Sequence, residues 1–449
     1  MNRQNKLGVV LIFAAGTLSA ASTATSPVTF HREVEPILQK RCQACHRPGE
    51  VAPMSFLTYQ DVRPWAKAIR SAVLLKRMPP WSADPDHGKF MNDRSLTAGE
   101  IEILKNWVDQ GAMEGSPKDA PQPLRFTEGW SIGTPDLIVE MPKAFDVPAT
   151  GVIPYQYIVV PSGLTEDKWV VAAEIRPGNP STMHHSIAFA LAPGTKSFMG
   201  SKTGDFLDAI AIQKAQQRKP GAPEPNQFDS GINAEAVQTY APGGVPTQFD
   251  PGQARLVKAG SNIMFQLHYT PNGTPTKDRT RLGLIFAKEP PTQRVKMVNV
   301  QNFAFTIPPN VDNYPIRARA RVTHDFTLIS MLPHMHLRGK DFEYRATYPS
   351  GESEILLRVP RWDFNWQITY YLEKPKLIPK GTIIECVGHF DNTPNNPFNP
   401  DANAEVVYGE QTFNEMMGGI MDIALDPKLG SFEIFESVAP ESKTPAQSH

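Results

Sequence analysis

The chain has 449 residues, which at roughly 100–200 residues per domain predicts two to four domains, each with its own core. Lysine and arginine number 45 against 46 acidic residues, so no basic surplus is available to neutralise phosphates, and a nucleic-acid partner is excluded. Prolines number 43, about twice the ordinary usage of roughly 5%, yet 40% of the residues are hydrophobic; turn-rich β structure fits this composition better than disorder.

At the start of the chain Arg3 and Lys6 precede an apolar run over residues 7–18, and the small residues Ser19, Ala20 and Ala21 follow. This layout predicts a secretory signal peptide over residues 1–24, cleaved between Ala20 and Ala24. The run is shorter than the roughly 20 residues that span a bilayer, and no later stretch reaches about 18 consecutive apolar residues. A mature protein without a membrane span, periplasmic or secreted, is therefore expected.

Cys42-Gln43-Ala44-Cys45-His46 has the C-x-x-C-H spacing, in which two thiols form thioethers to haem vinyl groups and the adjacent histidine becomes an axial iron ligand. A redox dithiol or half of a zinc site are the other readings; Cys386 is the one remaining cysteine, so no second pair exists to complete a zinc site. Covalent c-type haem is the expectation. Residues 31–41 read as a helix with Val34, Ile37 and Leu38 on one face, delivering the cysteines at its end. A second helix begins after Thr97, with Glu100 completing a capping box and Ile101, Leu104, Trp107 and Val108 on its apolar face, and stops at Gly111. Met54, Met78, His87 and Met91 compete as the sixth iron ligand. Met78 is favoured in the stiff segment Arg77-Met78-Pro79-Pro80-Trp81, with a packed core methionine as the alternative. On these residues the segment resembles a class I c-type cytochrome, which implies an all-α cytochrome c domain over residues 28–116.

A proline-rich stretch beginning at Ser116-Pro117 marks a linker over residues 117–128. Beyond it, short apolar or alternating runs recur between turn residues, at 137–141, 155–160, 169–175, 186–191, 263–269 and 282–286. A second set follows at 316–322, 326–332, 342–348, 355–359, 366–371, 382–389 and 419–424. Two antiparallel β-sandwich domains are expected, over residues 129–292 and 293–437, with a boundary near Glu289-Pro290-Pro291 and a disordered tail at 438–449. Residues 196–260 read as a long surface excursion with one short helix at 206–217.

Five of the 11 histidines fall in three small clusters: His184-His185, His268 in Gln266-Leu267-His268-Tyr269, and His334-Met335-His336; Met416 follows in Glu415-Met416. Imidazole binds copper well and a thioether favours Cu(I), so such a set suits a copper that changes oxidation state. On a strand His334 and His336 share a face about 7 Å apart and can chelate one ion, whereas consecutive His184 and His185 point to opposite faces unless a bulge or turn intervenes. Taken singly, each cluster is equally a packed or hydrogen-bonded pair of histidines.

The order His-His, Gln-x-His-Tyr, His-x-His, Glu-Met resembles the copper type II ascorbate-dependent monooxygenases, the family of peptidylglycine α-hydroxylating monooxygenase and dopamine β-monooxygenase, over about 300 residues. The resemblance implies two jelly-roll sandwiches and two copper ions. His184, His185 and His268 would hold an electron-transfer copper, and His334, His336 and Met416 would hold the oxygen-activating copper as the catalytic centre. It gives His324 and His389 no ligand role. The chain departs from the animal enzymes in lacking disulfide-forming cysteines. The resemblance implies hydroxylation of a C–H bond of a small-molecule or peptide substrate with O2, with ascorbate as the usual electron source; the attached haem adds the expectation that electrons from ascorbate or a redox protein pass from the haem to the first copper and then towards the second. A non-enzymatic haem and copper electron carrier is the alternative; oxygen consumption separates the two. A haem peroxidase is a third reading and would need an open iron position.

Overall fold

The structure, a computed structural model, describes residues 26–127, 129–195, 202–208, 210, 234–429 and 434–438. The expected signal peptide, most of the expected helix at 206–217 and residues 439–449 of the expected tail lie outside them. Among the described residues no helix is long and apolar enough to cross a membrane.

The helices gather at the start of the chain and are short: Glu35–Arg41, Tyr59–Val62, Ala66–Leu74 and Ala98–Asp109. Thr97 and Glu100 form the capping box read from the sequence, each side chain accepting from the other residue's amide. Phe30, Val34, Leu38, Leu104 and Trp107 are fully or almost fully buried and make a small core between these helices.

Strand dominates the described residues, at 38% of them, and this corrects the expectation of an all-α cytochrome c domain leading the chain. The helical segment does not close on itself. Between Leu74 and Ala98 the backbone runs onto the β structure, where Asp84 N–H donates to the Arg358 carbonyl, Met91 N–H to Tyr371 and Glu373 N–H to Lys89. Trp81 and Phe90 bury their rings against Tyr370 in the core of the second set of strands. Helices this short bury too little apolar surface to stand apart, and the loop between them completes its packing elsewhere.

Three large sheets carry the rest. A nine-stranded sheet runs in the order Leu137–Glu140, Arg281–Phe286, Lys168–Arg176, Gln253–Val257, Gln293–Gln301, Gly418–Leu425, Phe326–His334 and Tyr370–Ile378, with Thr247–Gln248 alongside Lys168–Arg176. One five-stranded sheet (Phe206–Asp208, Gln156–Pro161, Asn262–Tyr269, Met183–Leu191, Ala234–Tyr240) belongs to the first set of strands. The other (Ser353–Val359, Gly339–Thr347, Ile383–Phe390, Tyr314–Val322, Phe435–Ser437) belongs to the second. Each set surrounds its own apolar core. The two sandwiches are thus not separate: Gln293 and Arg294 pair in parallel with Gln253 and Ala254, and one sheet continues through both.

Residues 196–260 are not a plain surface excursion. Ala234–Tyr240 pairs with Met183–Leu191, and Gln253–Val257 is buried along its whole length at the seam of the two sandwiches. Phe206–Asp208 is a strand on Gln156–Ile158, where a helix was expected.

Candidate metal centre

Met183–Leu191 and Asn262–Tyr269 pair antiparallel from Ala190↔Ile263 to His185↔His268, after which Tyr269 faces Met183. His184 is therefore the extra residue of a β-bulge. In regular pairing His184 and His185 would point to opposite faces; with two residues opposing one, the bulge turns both imidazoles to the same side. Their Nδ1 atoms lie 3.1 Å apart, the separation two nitrogens at about 2.0 Å from one ion show at an angle near 100°. One ring nitrogen from each of His184, His185 and His268 lies within 4.8 Å of the others.

All three rings are buried, and Nδ1 of His268 has no hydrogen-bond partner among the described residues. An orphaned buried nitrogen costs about 1–3 kcal/mol, which a ligand at this point would offset. Burial, reinforced by the neighbouring histidines, holds His184 down to about 4 and His185 and His268 well below the ordinary histidine value. They are neutral at pH 7, the form that donates a lone pair to a metal. Phe364 stacks on His184 at 4.5 Å, and Tyr155 lies 4.3 Å from the ring of His268 and edge-on to His185. These aromatic walls fix the ring orientations.

His334 ends the strand Phe326–His334; Met335 turns into the core, so His334 and His336 share the other side, with ring centroids 5.3 Å apart. His334 Nδ1–H donates to Gln367 Oε1 at 2.7 Å, and His336 Nδ1–H to the Asn414 carbonyl at 3.2 Å. Each bond selects the tautomer that leaves Nε2 free, and Nε2 of His336 is buried without a partner among the described residues. The Glu415 side chain accepts from the amides of His336 and Arg338 and pins this turn; burial pushes its carboxyl pKa up to about 8. Met416 is carried in by the strand Gly418–Leu425, whose Gly418 pairs with His334. It lines a cavity of about 690 Å³ together with His185 and His334.

The two groups adjoin. His185 and His334 have ring centroids 6.4 Å apart, and Phe364 touches His184 on one side and approaches His336, at 6.5 Å, on the other. Five histidines from both sandwiches form one continuous array. Their donor set, neutral imidazoles with a thioether nearby, fits copper. Sequence reasoning did not identify Tyr155, Phe364, Gln367 or Glu415. Tyr155 and Gln367 fall in runs read only as strand, Phe364 lies in a turn before one of them, and only Glu415, beside Met416, had a neighbour that could have drawn attention. His389 pairs with Asp341, consistent with a structural role.

Cys42 and Cys45 are free thiols in a turn at the end of Glu35–Arg41, where the amides of Cys45 and His46 both donate to the Cys42 carbonyl. Burial pushes the Cys42 thiol up to about 12. His46 stacks on Phe56 at 4.1 Å, and its Nδ1–H donates to the Met54 carbonyl at 3.3 Å, leaving Nε2 for iron. Two unpaired thiols and an imidazole of fixed tautomer fit a covalently attached haem. Met78 lines a cavity of about 820 Å³ with Trp81, Leu96 and Ile101, where the helical segment meets the second sandwich. Met91 is 70% exposed and Met54 packs into the helical core.

No family model matches the chain, and no curated protein matches it. Among solved structures, the infectious bursal disease virus VP2 subviral particle aligns at 9% identity over 65% of this chain and 71% of that one, with a TM-score of 0.19. T=1 particles derived from the same virus align at 10% identity over 65% and 68%, also at 0.19. Likeness this weak carries no argument about fold or function.

Proposed function

We propose that the protein is an exported copper-dependent monooxygenase that hydroxylates a C–H bond of a small-molecule or peptide substrate with O2, electrons entering through a c-type haem attached at Cys42 and Cys45. The single observation that carries this reading is the bulge at His184, which brings two consecutive histidines and His268 to one side of a sheet, beside His334 and His336.

His184, His185 and His268 would hold one copper, and His334, His336 and Met416 a second. Copper at these positions supplies one-electron redox change and oxygen activation. Gln367 and Asn414 hold His334 and His336 in the tautomer that presents Nε2. Met416 contributes a soft thioether that favours the reduced ion. Tyr155 and Phe364 pack on the buried His184, His185 and His268, whereas the partly exposed His334 and Met416 line an open cavity. The cavity of about 690 Å³ beside them, with Ile187, Phe303 and Tyr408 in its walls, has room for an organic substrate. His46 and Met78 would hold the iron of the haem, which supplies one-electron transfer when bound.

The test is metal analysis and oxygen uptake on protein produced with haem maturation and copper. One iron and two coppers per chain are expected, with uptake that depends on a reductant and a substrate and is lost in His334→Ala and in Met416→Leu. Copper-free protein, or uptake unchanged in both variants, would overturn the reading.

A further inference from the structure

The strand Ala234–Tyr240 joins the two redox segments, and neither of them accounts for it. Its last residue, Tyr240, pairs with Ser186, the neighbour of His185. The chain then makes a tight turn: Gly244 N–H donates to the Ala241 carbonyl at 2.8 Å, with Pro242 and Gly243 at the centre and Gly243 at φ +74°. Proline followed by a residue of positive φ is the pattern of a type II turn, and the second central position calls for glycine. The turn presses on the haem-attachment segment. A Cβ at Gly243 would lie 2.9 Å from an Arg94 guanidinium nitrogen and 3.8 Å from Cys45 Sγ. The same few residues, Tyr240, Ala241 and Gly244, also line the cavity shared by His185, His334 and Met416.

We infer that residues 240–244 are the bridge that docks the C-x-x-C-H segment against the histidine array, and the route by which one electron passes from the haem to the copper held by His184, His185 and His268. This rests on the proposed function. Each transfer takes the iron from ferrous to ferric and the copper from cupric to cuprous, with no bond made or broken; the iron is reduced beforehand by an external one-electron donor such as ascorbate. The route consists of the Cys45 thioether, its close approach to the turn at Gly243 and to the Tyr240 side chain, whose hydroxyl lies within electrostatic reach of Cys45, then the pairing of Tyr240 with Ser186 and one peptide unit to His185. A bare Cβ at Gly243 would displace only the flexible tip of Arg94, but the atoms of a longer side chain would have to share space with Cys45 Sγ.

The experiment uses full-length, haem-bearing, copper-loaded protein under anaerobic conditions. A photochemical one-electron reductant delivers an electron to the haem, and haem reoxidation is followed alongside loss of the cupric paramagnetic signal. Gly243→Leu and Tyr240→Leu are expected to slow the transfer by about tenfold or more, with iron and copper content and the haem potential as in the parent protein. Transfer within about twofold of the parent in both variants overturns the inference and leaves the relay standing. If Gly243→Leu does not accumulate as folded protein, Tyr240→Leu decides alone. No transfer in parent protein that holds both metals removes the relay in the proposed function and this route together.

Discussion

Removing the His185 imidazole takes one nitrogen from a group that His184 and His268 otherwise complete, and leaves the strand pairing around it intact. His185→Ala is expected to fold and to lose one copper per chain by metal analysis; unchanged copper content would show that the three nitrogens do not share an ion. Gln367 acts one layer out, since its carbonyl fixes the His334 tautomer. Gln367→Leu should weaken copper binding by about 10–100-fold in a competition titration, the usual effect of losing such a partner. The burial that keeps the histidines neutral also sets a pH dependence. His184 and His336 are held down to about 4 and about 3, against 6.5 for the free side chain. Between those values and 6.5 the unfolded chain binds more protons than the folded one. The stability of metal-free protein is therefore full above about pH 6.5 and falls as pH drops towards 3. Urea unfolding at pH 7.5 and 4.5 measures this, and the fall should be shallower in His336→Leu.

Helices and strands differed in how openly they announced themselves. The helix Ala98–Asp109 was legible because its cap, its apolar face and its stop at Gly111 lie within one short stretch. Strands such as Met183–Leu191 and Phe326–His334 were legible from apolar runs between turns. Ala234–Tyr240 and Gln253–Val257 were not, because Glu235, Gln238 and Arg255 break the pattern; Glu235 and Arg255 find their partners Arg294 and Asp422 far along the chain, and Gln238 accepts from Thr247 across a turn. The strand that positions Met416 offers a direct test of packing at this scale. A Cβ at Gly419 would strike Cys386 Sγ and crowd Tyr344. Gly419→Ala should cost about 1–3 kcal/mol by denaturant unfolding, as overpacking does, and lower oxygen uptake by displacing Met416. An unchanged unfolding midpoint would mean that the strand shifts without penalty.

The whole molecule is held at the seam of its two sandwiches. Arg255, almost fully buried, donates to the Val237 carbonyl and to Asp422, which lies on the strand that follows Met416. Within the shared sheet this ion pair ties Gln253–Val257, from the first sandwich, to Gly418–Leu425 two strands along, the neighbour of the strand that presents His334. Asp422→Ala leaves a buried guanidinium without its counter-charge and is expected to cost about 3–5 kcal/mol in unfolding free energy. A loss below about 1 kcal/mol would show that water or another acceptor reaches Arg255.

The amino-acid sequence by itself determined what depends on neighbours along the chain: the C-x-x-C-H spacing, the capping box at Thr97, the alternation that places His334 and His336 on one side, and the β character of most of the polypeptide. Tertiary structure decided the rest. The turning of His184 and His185 to a common side depends on a one-residue slip against the distant strand that bears His268. The meeting of His185 with His334, the continuity of one sheet through both sandwiches and the loss of an independent helical domain likewise arise from contacts between remote segments. Chain spacing fixes local geometry through bond lengths and dihedral limits, whereas register and docking are set by which surfaces bury best against one another, and no local pattern records that.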